Sequence, residues 1–121
     1  MSKSGWEGQG LEVLLARDFE GERLKRRGTY AVCFAATWCP PTRRFVPTFI
    51  ALDHQLPAHL ALADITDMDD PLWDTFHIEI TPTMIVFKDG APVGRFDGRP
   101  SEALDDRDLA GLTKLLKHLP P

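Results

Sequence analysis

The chain has 121 residues, enough for one domain that buries a core without disulfide or metal staples. Its composition, 43% hydrophobic and 26% charged, excludes a disordered chain, and a formal charge of -4 gives no electrostatic reason to expect nucleic acid. No apolar run approaches the roughly 20 residues of a membrane helix.

The opening "MSKSGWEGQG" carries no hydrophobic segment of the signal-peptide type, so cytoplasmic residence is the expectation. Residues 1–10 read as a loose N-terminus and 11–121 as a single domain. "LEVLL", residues 11–15, is a predicted strand. In "RDFEGERLKRRG", Phe19 and Leu24 suggest an apolar stripe and Gly28 a stop, which predicts a helix. "TYAVCFAAT", residues 29–37, is almost entirely apolar, the pattern of a strand buried on both faces.

Residues 40–56 form the next predicted helix, with Phe45, Phe49, Leu52 and Leu56 on one face and Pro47 inside it. "HLALADIT", residues 59–66, is a second buried strand, and "DDPLWDTFHI" opens a short helix with acids before Pro71. "TMIVF" and "PVGRF" flank "KDG" as a hairpin. The last helix carries Leu109, Leu112, Leu116 and Leu119 on one face and is capped by Asp105 or Asp106. The order β-α-β-α-β-α-β-β-α predicts an α/β fold, a central mixed sheet with helices on both faces.

Two cysteines, Cys33 and Cys39, are too few and too close for a secreted disulfide framework. The four histidines show no metal-ligand spacing with them, so neither a metal nor a cofactor is expected. Cys39 lies between a buried strand and a helix start, where unpaired N–H groups and the helix dipole favour a thiolate. Pro40 and Pro41 have no N–H to offer the sulfur, which leaves the Thr42 N–H and hydroxyl as donors. Arg43 and Arg44 add positive charge or simply face water.

This order and these motifs resemble the thioredoxin family, from about Leu11 to Leu119. "FAATWCPPT" is similar to the family's passage into its active site, and "WCPP" to the tryparedoxin and nucleoredoxin version. Pro47, the "TPT" of residues 81–83, "FKDG" and Gly98 fall where the family has its helix proline, cis-proline loop, hairpin turn and groove glycine. The resemblance implies a cis Thr81-Pro82 bond, and a client segment pairing as an added strand with the backbone before that proline. It implies that Trp38 flanks the sulfur, with core packing as the other reading of that residue. Trp38, Pro40, Pro41, Thr81, Pro82 and Gly98 are thus the expected substrate-binding residues, and Cys39 and Thr42 the catalytic ones.

The sequence departs from the family twice at the site. Thr42 stands where the second active-site cysteine belongs, and Cys33 where the buried acid belongs. A hydroxyl near neutral pH does not resolve a mixed disulfide, so monothiol exchange remains. The expected partners are protein disulfides or thiols, together with an external low-molecular-weight thiol. Cys33 reads as an inert core thiol rather than a resolving one. Two other readings stand beside this one: a non-catalytic module that binds extended segments, and a glutathione-dependent iron–sulfur protein of the monothiol glutaredoxin kind.

Overall fold

The computed structural model describes residue 6, residues 8–99 and residues 104–119. Five strands form one sheet: β1 (Glu12–Leu14), β4 (Thr29–Ala35), β5 (His59–Asp64), β6 (Thr83–Lys88) and β7 (Ala91–Phe96), in the spatial order β1-β5-β4-β6-β7. β1, β5 and β4 run parallel, and β6 and β7 add antiparallel partners. β4 is therefore central, as its unbroken apolar run predicts.

Alternate residues of β4 feed two cores. Ala31, Cys33 and Ala35 pack with Phe45, Val46 and Phe49 of α1 (Pro40–Ile50) and with Leu112 and Leu116 of α3 (Asp106–His118). Val32 and Phe34 point the other way, toward Phe19, Leu24 and Phe76. That second face is covered by α2 (Leu72–Thr75) and by a small ribbon of β2 (Phe19–Glu20) and β3 (Arg23–Leu24). The sheet is thus flanked by helical elements on both sides.

The predicted helix over residues 17–28 is not formed. A 3-10 turn at Ala16–Asp18 leads instead into the β2–β3 ribbon, where Phe19 pairs with Leu24 across a turn at Gly21, whose φ is 56°. A two-residue loop with glycine first is a hairpin turn. It brings both apolar residues to one face, so the helical stripe and the hairpin share the same two anchors.

The helix beginning at Pro40 is also shorter than predicted. It ends at Ile50, and the chain continues in tight turns, Leu52 N–H to Phe49 O and Asp53 N–H to Ile50 O, until His54 at φ 68° breaks the direction. Leu52 and Leu56 still pack against the core from this segment. α2 spans a single turn; the Asp70 carboxylate accepts from the Leu72 N–H at its start. At α3, Asp105 is the cap. Its side chain accepts from the Arg107 N–H, and Asp108 accepts from the Asp105 N–H.

The hairpin turn is the one predicted. Asp89 (φ 48°) and Gly90 (φ 90°) are both left-handed, as a two-residue turn of this type demands. Asp89 also accepts from the Gly28 N–H at 2.8 Å and so anchors the turn beside the start of β4.

The expectation of a loose segment over residues 1–10 falls mainly outside the described residues. Trp6 itself is buried.

Candidate functional site

β4 delivers the chain to Cys39 at one end of the sheet. Cys39 is the N-cap of α1, with φ -92° and ψ 113°, and Pro40 and Pro41 fill the first two helical positions. Proline is pre-shaped for a helix start, where its missing N–H forfeits no helical bond. The first intrahelical N–H available near the cap residue is therefore that of Thr42. Pro40 is exposed and Pro41 partly so, while Thr42 is wholly buried.

The second wall is the loop before β6. Thr81-Pro82 is cis. Cys39 Sγ donates to the Thr81 carbonyl at 3.5 Å, and the Thr42 hydroxyl donates to the Thr81 hydroxyl oxygen at 2.8 Å. Thr83 closes the loop on itself, its hydroxyl donating to the Ile80 carbonyl at 2.8 Å. Gly98 packs against this turn so closely that an added Cβ would sit 2.5 Å from the Pro82 carbonyl oxygen. Cys39, Thr42, Thr81, Pro82 and Gly98 are therefore brought together. Beyond Gly98 a cleft of about 280 Å³ runs past Ile80, Glu79 and Arg95.

Trp38 lies outside the core, which removes the packing reading of that residue. It is 49% exposed, and its indole N–H donates to the Thr66 carbonyl at 2.7 Å. Its ring stacks on Trp73, with centroids 6.3 Å apart and planes 15° from parallel. Sequence reasoning missed the support beneath this ring. The Thr66 hydroxyl accepts from the Thr37 N–H and donates to Asp64, whose carboxylate also accepts the Thr66 N–H. "DIT" at residues 64–66 is the pattern of an Asx turn, the one signal that could have found it.

Burial pushes the Cys39 thiol up. Hydrogen bonding from the Thr42 and Thr81 side chains, the Thr42 N–H and the charge of Arg43 together outweigh that push and hold it below its ordinary value. Cys33 behaves oppositely. It is fully buried among α1 residues, and burial alone raises its thiol far above the usual range. Both cysteines are free thiols. Chemically, the arrangement supplies one accessible, activated sulfur and no second thiolate.

Among the described residues no cluster of three or more His, Cys, Asp or Glu side chains is arranged to hold a metal. Among the same residues no helix is long and apolar enough to cross a membrane.

The thioredoxin family model matches residues 11–107. A thioredoxin H-type from Picea mariana is 34% identical over 94 residues, covering 75% of this chain and 72% of that protein. A Staphylococcus aureus thioredoxin is 30% identical over 97 residues, covering 78% of this chain and 92% of its own length. Among solved structures, thioredoxin f2 of Chlamydomonas reinhardtii superposes with a TM-score of 0.71 at 18% identity, covering 93% of this chain and 99% of that one. Mitochondrial thioredoxin 3 of Saccharomyces cerevisiae, in its oxidised form, superposes with a TM-score of 0.68 at 20% identity, covering 88% and 95%. The structural likenesses carry the fold alone; with the family match and the two relatives, they identify this chain as a member of the thioredoxin family.

Proposed function

We propose that the protein performs monothiol thiol–disulfide exchange through Cys39. The reading rests on one observation above all: the residue a turn after the nucleophile, Thr42, is a buried alcohol hydrogen-bonded to Thr81 rather than a thiol. The Cys39 thiolate attacks one sulfur of a client disulfide. That S–S bond breaks, a Cys39–client disulfide forms, and the departing client thiolate takes a proton from water. An external thiolate then attacks the Cys39 sulfur, which releases the client as a dithiol and leaves Cys39 joined to the small thiol; a second external thiolate attacks that small-thiol sulfur, forms the small-thiol disulfide and returns Cys39 as thiolate.

The client lies extended along the backbone at Thr81, with Trp38 and the Gly98 side of the loop as flanks. Protein disulfides or thiols are the substrates, and a small thiol of the glutathione type is the co-substrate. A reducing compartment such as the cytoplasm supplies it.

Reduction of a protein disulfide is measured with and without added glutathione. Turnover that needs glutathione and disappears in Cys39→Ser is the expected result. Client retention unchanged in Cys39→Ser, with no exchange in the parent protein, overturns the proposal and makes the groove a non-catalytic binding surface.

A further inference from the structure

Trp38, the residue before Cys39, forms an aromatic shelf with Trp73, their rings stacked at 6.3 Å between centroids. Three successive carbonyls of the loop after β5 hold both indoles. Trp38 Nε1 donates to Thr66 at 2.7 Å, and Trp73 Nε1 to Ile65 and Asp67 at 3.2 and 3.1 Å. The one polar atom of each indole is thus spent on the fold, and Trp38, 49% exposed, offers apolar ring surface to solvent. Met68, which follows Asp67 in the same loop, is 76% exposed.

The charge around this shelf has one sign. From Phe45 to Phe87 the chain contains no lysine or arginine. Asp64, Asp67, Asp69, Asp70 and Asp74 lie in or next to the segments that hold the two rings. Among the described residues none of these carboxylates has an ion-pair partner. Asp64, Asp67 and Asp70 accept backbone N–H groups of their own loop, whereas Asp69 and Asp74 are exposed and hold no backbone group. The cations of the site stand elsewhere: Arg43 and Arg44 on α1, and Arg95 bonded to the Phe76 and His77 carbonyls and to Asp97.

We propose that the Trp38–Trp73 shelf seats a cationic side chain of the client, a lysine or arginine beside the cysteine whose disulfide Cys39 attacks. This names the client class of the monothiol reading and rests on the groove at Cys39 being the client's seat. Strand pairing at the Thr81 backbone is blind to client sequence, so selection falls to what the flanking side chains meet. An ammonium or guanidinium over an indole face is attracted by the ring quadrupole, and its alkyl stem covers the apolar ring. An apolar client residue gains the ring contact alone. An acidic one meets like charge from the unpaired carboxylates.

The test is the affinity of Cys39→Ser for dye-labelled linear peptides with an S-methylated cysteine, identical except for lysine or glutamate on both sides of it, read by fluorescence anisotropy. Binding is read without exchange, so this proposal and the functional one fail separately. The lysine peptide is expected to bind about tenfold tighter at low salt, and the difference is expected to shrink at about 0.5 M NaCl. Adding Asp69→Asn with Asp74→Asn, or adding Trp73→Leu, is expected to weaken the lysine peptide about two- to fivefold and to leave the glutamate peptide no weaker. Trp73→Phe is expected to restore most of the loss. Equal affinity for the two peptides, or a lysine preference that survives either set of substitutions undiminished, overturns the proposal. Where circular dichroism shows that Trp73→Leu does not fold, Trp38→Leu, on the exposed ring, takes its place with the same expectation.

Discussion

The Trp6 indole N–H donates to the Ala35 carbonyl at 3.2 Å, across 29 residues of chain. Ala35 is the last residue of β4, just before the passage to Cys39. The indole is 6% exposed and packs in the same core as Cys33, Phe45 and Leu104. It therefore closes that core beside the active-site passage. Trp6→Phe keeps most of the packing and removes the hydrogen bond, with an expected loss of about 0.5–1.5 kcal/mol. Trp6→Ala also opens a cavity, with an expected loss of about 3–5 kcal/mol. Urea unfolding of the two variants measures both. Equal stability in Trp6→Ala and the parent would mean that the indole contributes nothing to this core.

Gly98 faces a backbone atom rather than a flexible side chain, so a methyl group there cannot be accommodated by rotating a neighbour. The Cβ of Gly98→Ala would lie 2.5 Å from the Pro82 carbonyl oxygen and 3.2 Å from Ile80 Cγ2. Relief requires moving the cis-proline loop, and with it the Thr81 carbonyl that faces Cys39 Sγ. Overpacking of this kind typically costs about 1–3 kcal/mol. The expected outcome is a lowered thermal midpoint together with slower disulfide exchange. Parent-like exchange in Gly98→Ala would show that the loop yields without consequence for the groove.

These two sites differ in how legible they were. Gly98 is placed in the sequence by resemblance to the family's groove glycine, and the close approach of the Pro82 carbonyl that excludes a side chain there is visible only in the structure. The central strand was legible because Thr29–Ala35 feeds both cores and so cannot alternate with polar residues. The β2–β3 ribbon was not, because Phe19 and Leu24 are two anchors that fit a helical face and a hairpin equally. Only Gly21 at the turn distinguishes them. The Trp38–Trp73 stack was also hidden, since it depends on Thr66 and Asp64, whose bonds join two loops distant from each other in sequence. The Thr42–Thr81 contact had no local signal either: 39 residues separate two threonines that tertiary packing brings to 2.8 Å.

Cys33 makes stability depend on alkaline pH. Burial raises its thiol when the chain is folded, so the folded state keeps the proton while the unfolded state loses it near the ordinary cysteine value of about 8.5. The unfolded state then binds fewer protons, and stability falls as pH rises. The contribution is complete below about pH 8.5 and is lost above it, at roughly 1.4 kcal/mol per pH unit. The stability gap between the parent and Cys33→Ala is therefore expected to shrink by about 2 kcal/mol between pH 7 and pH 10, read by urea unfolding. A gap that stays constant would show that Cys33 ionises as readily folded as unfolded.

Restoring a thiol at position 42 tests the monothiol chemistry most directly. Residues three apart across the start of a helix have Cα atoms about 5 Å apart, and a disulfide needs Cα atoms about 4.4–6.8 Å apart. The Thr42 side chain is buried against Thr81, whose carbonyl faces the Cys39 sulfur at 3.5 Å. A Thr42→Cys thiol thus stands where it can attack a Cys39–client disulfide. In a single turnover without external thiol, the reduced parent protein is expected to end as the mixed disulfide. Thr42→Cys is expected to release the client as free thiol and end with its own residues 39 and 42 joined. Position 33 offers no carboxylate to accept the resolving thiol's proton, so that release is expected to speed up as pH rises toward the ordinary cysteine value. Non-reducing mass spectrometry separates the two end states. Release of client by the parent protein, abolished by Cys33→Ser, would instead make Cys33 the resolving thiol. Because Cys33 is fully buried beneath α1, that result would also require the helix to open during turnover.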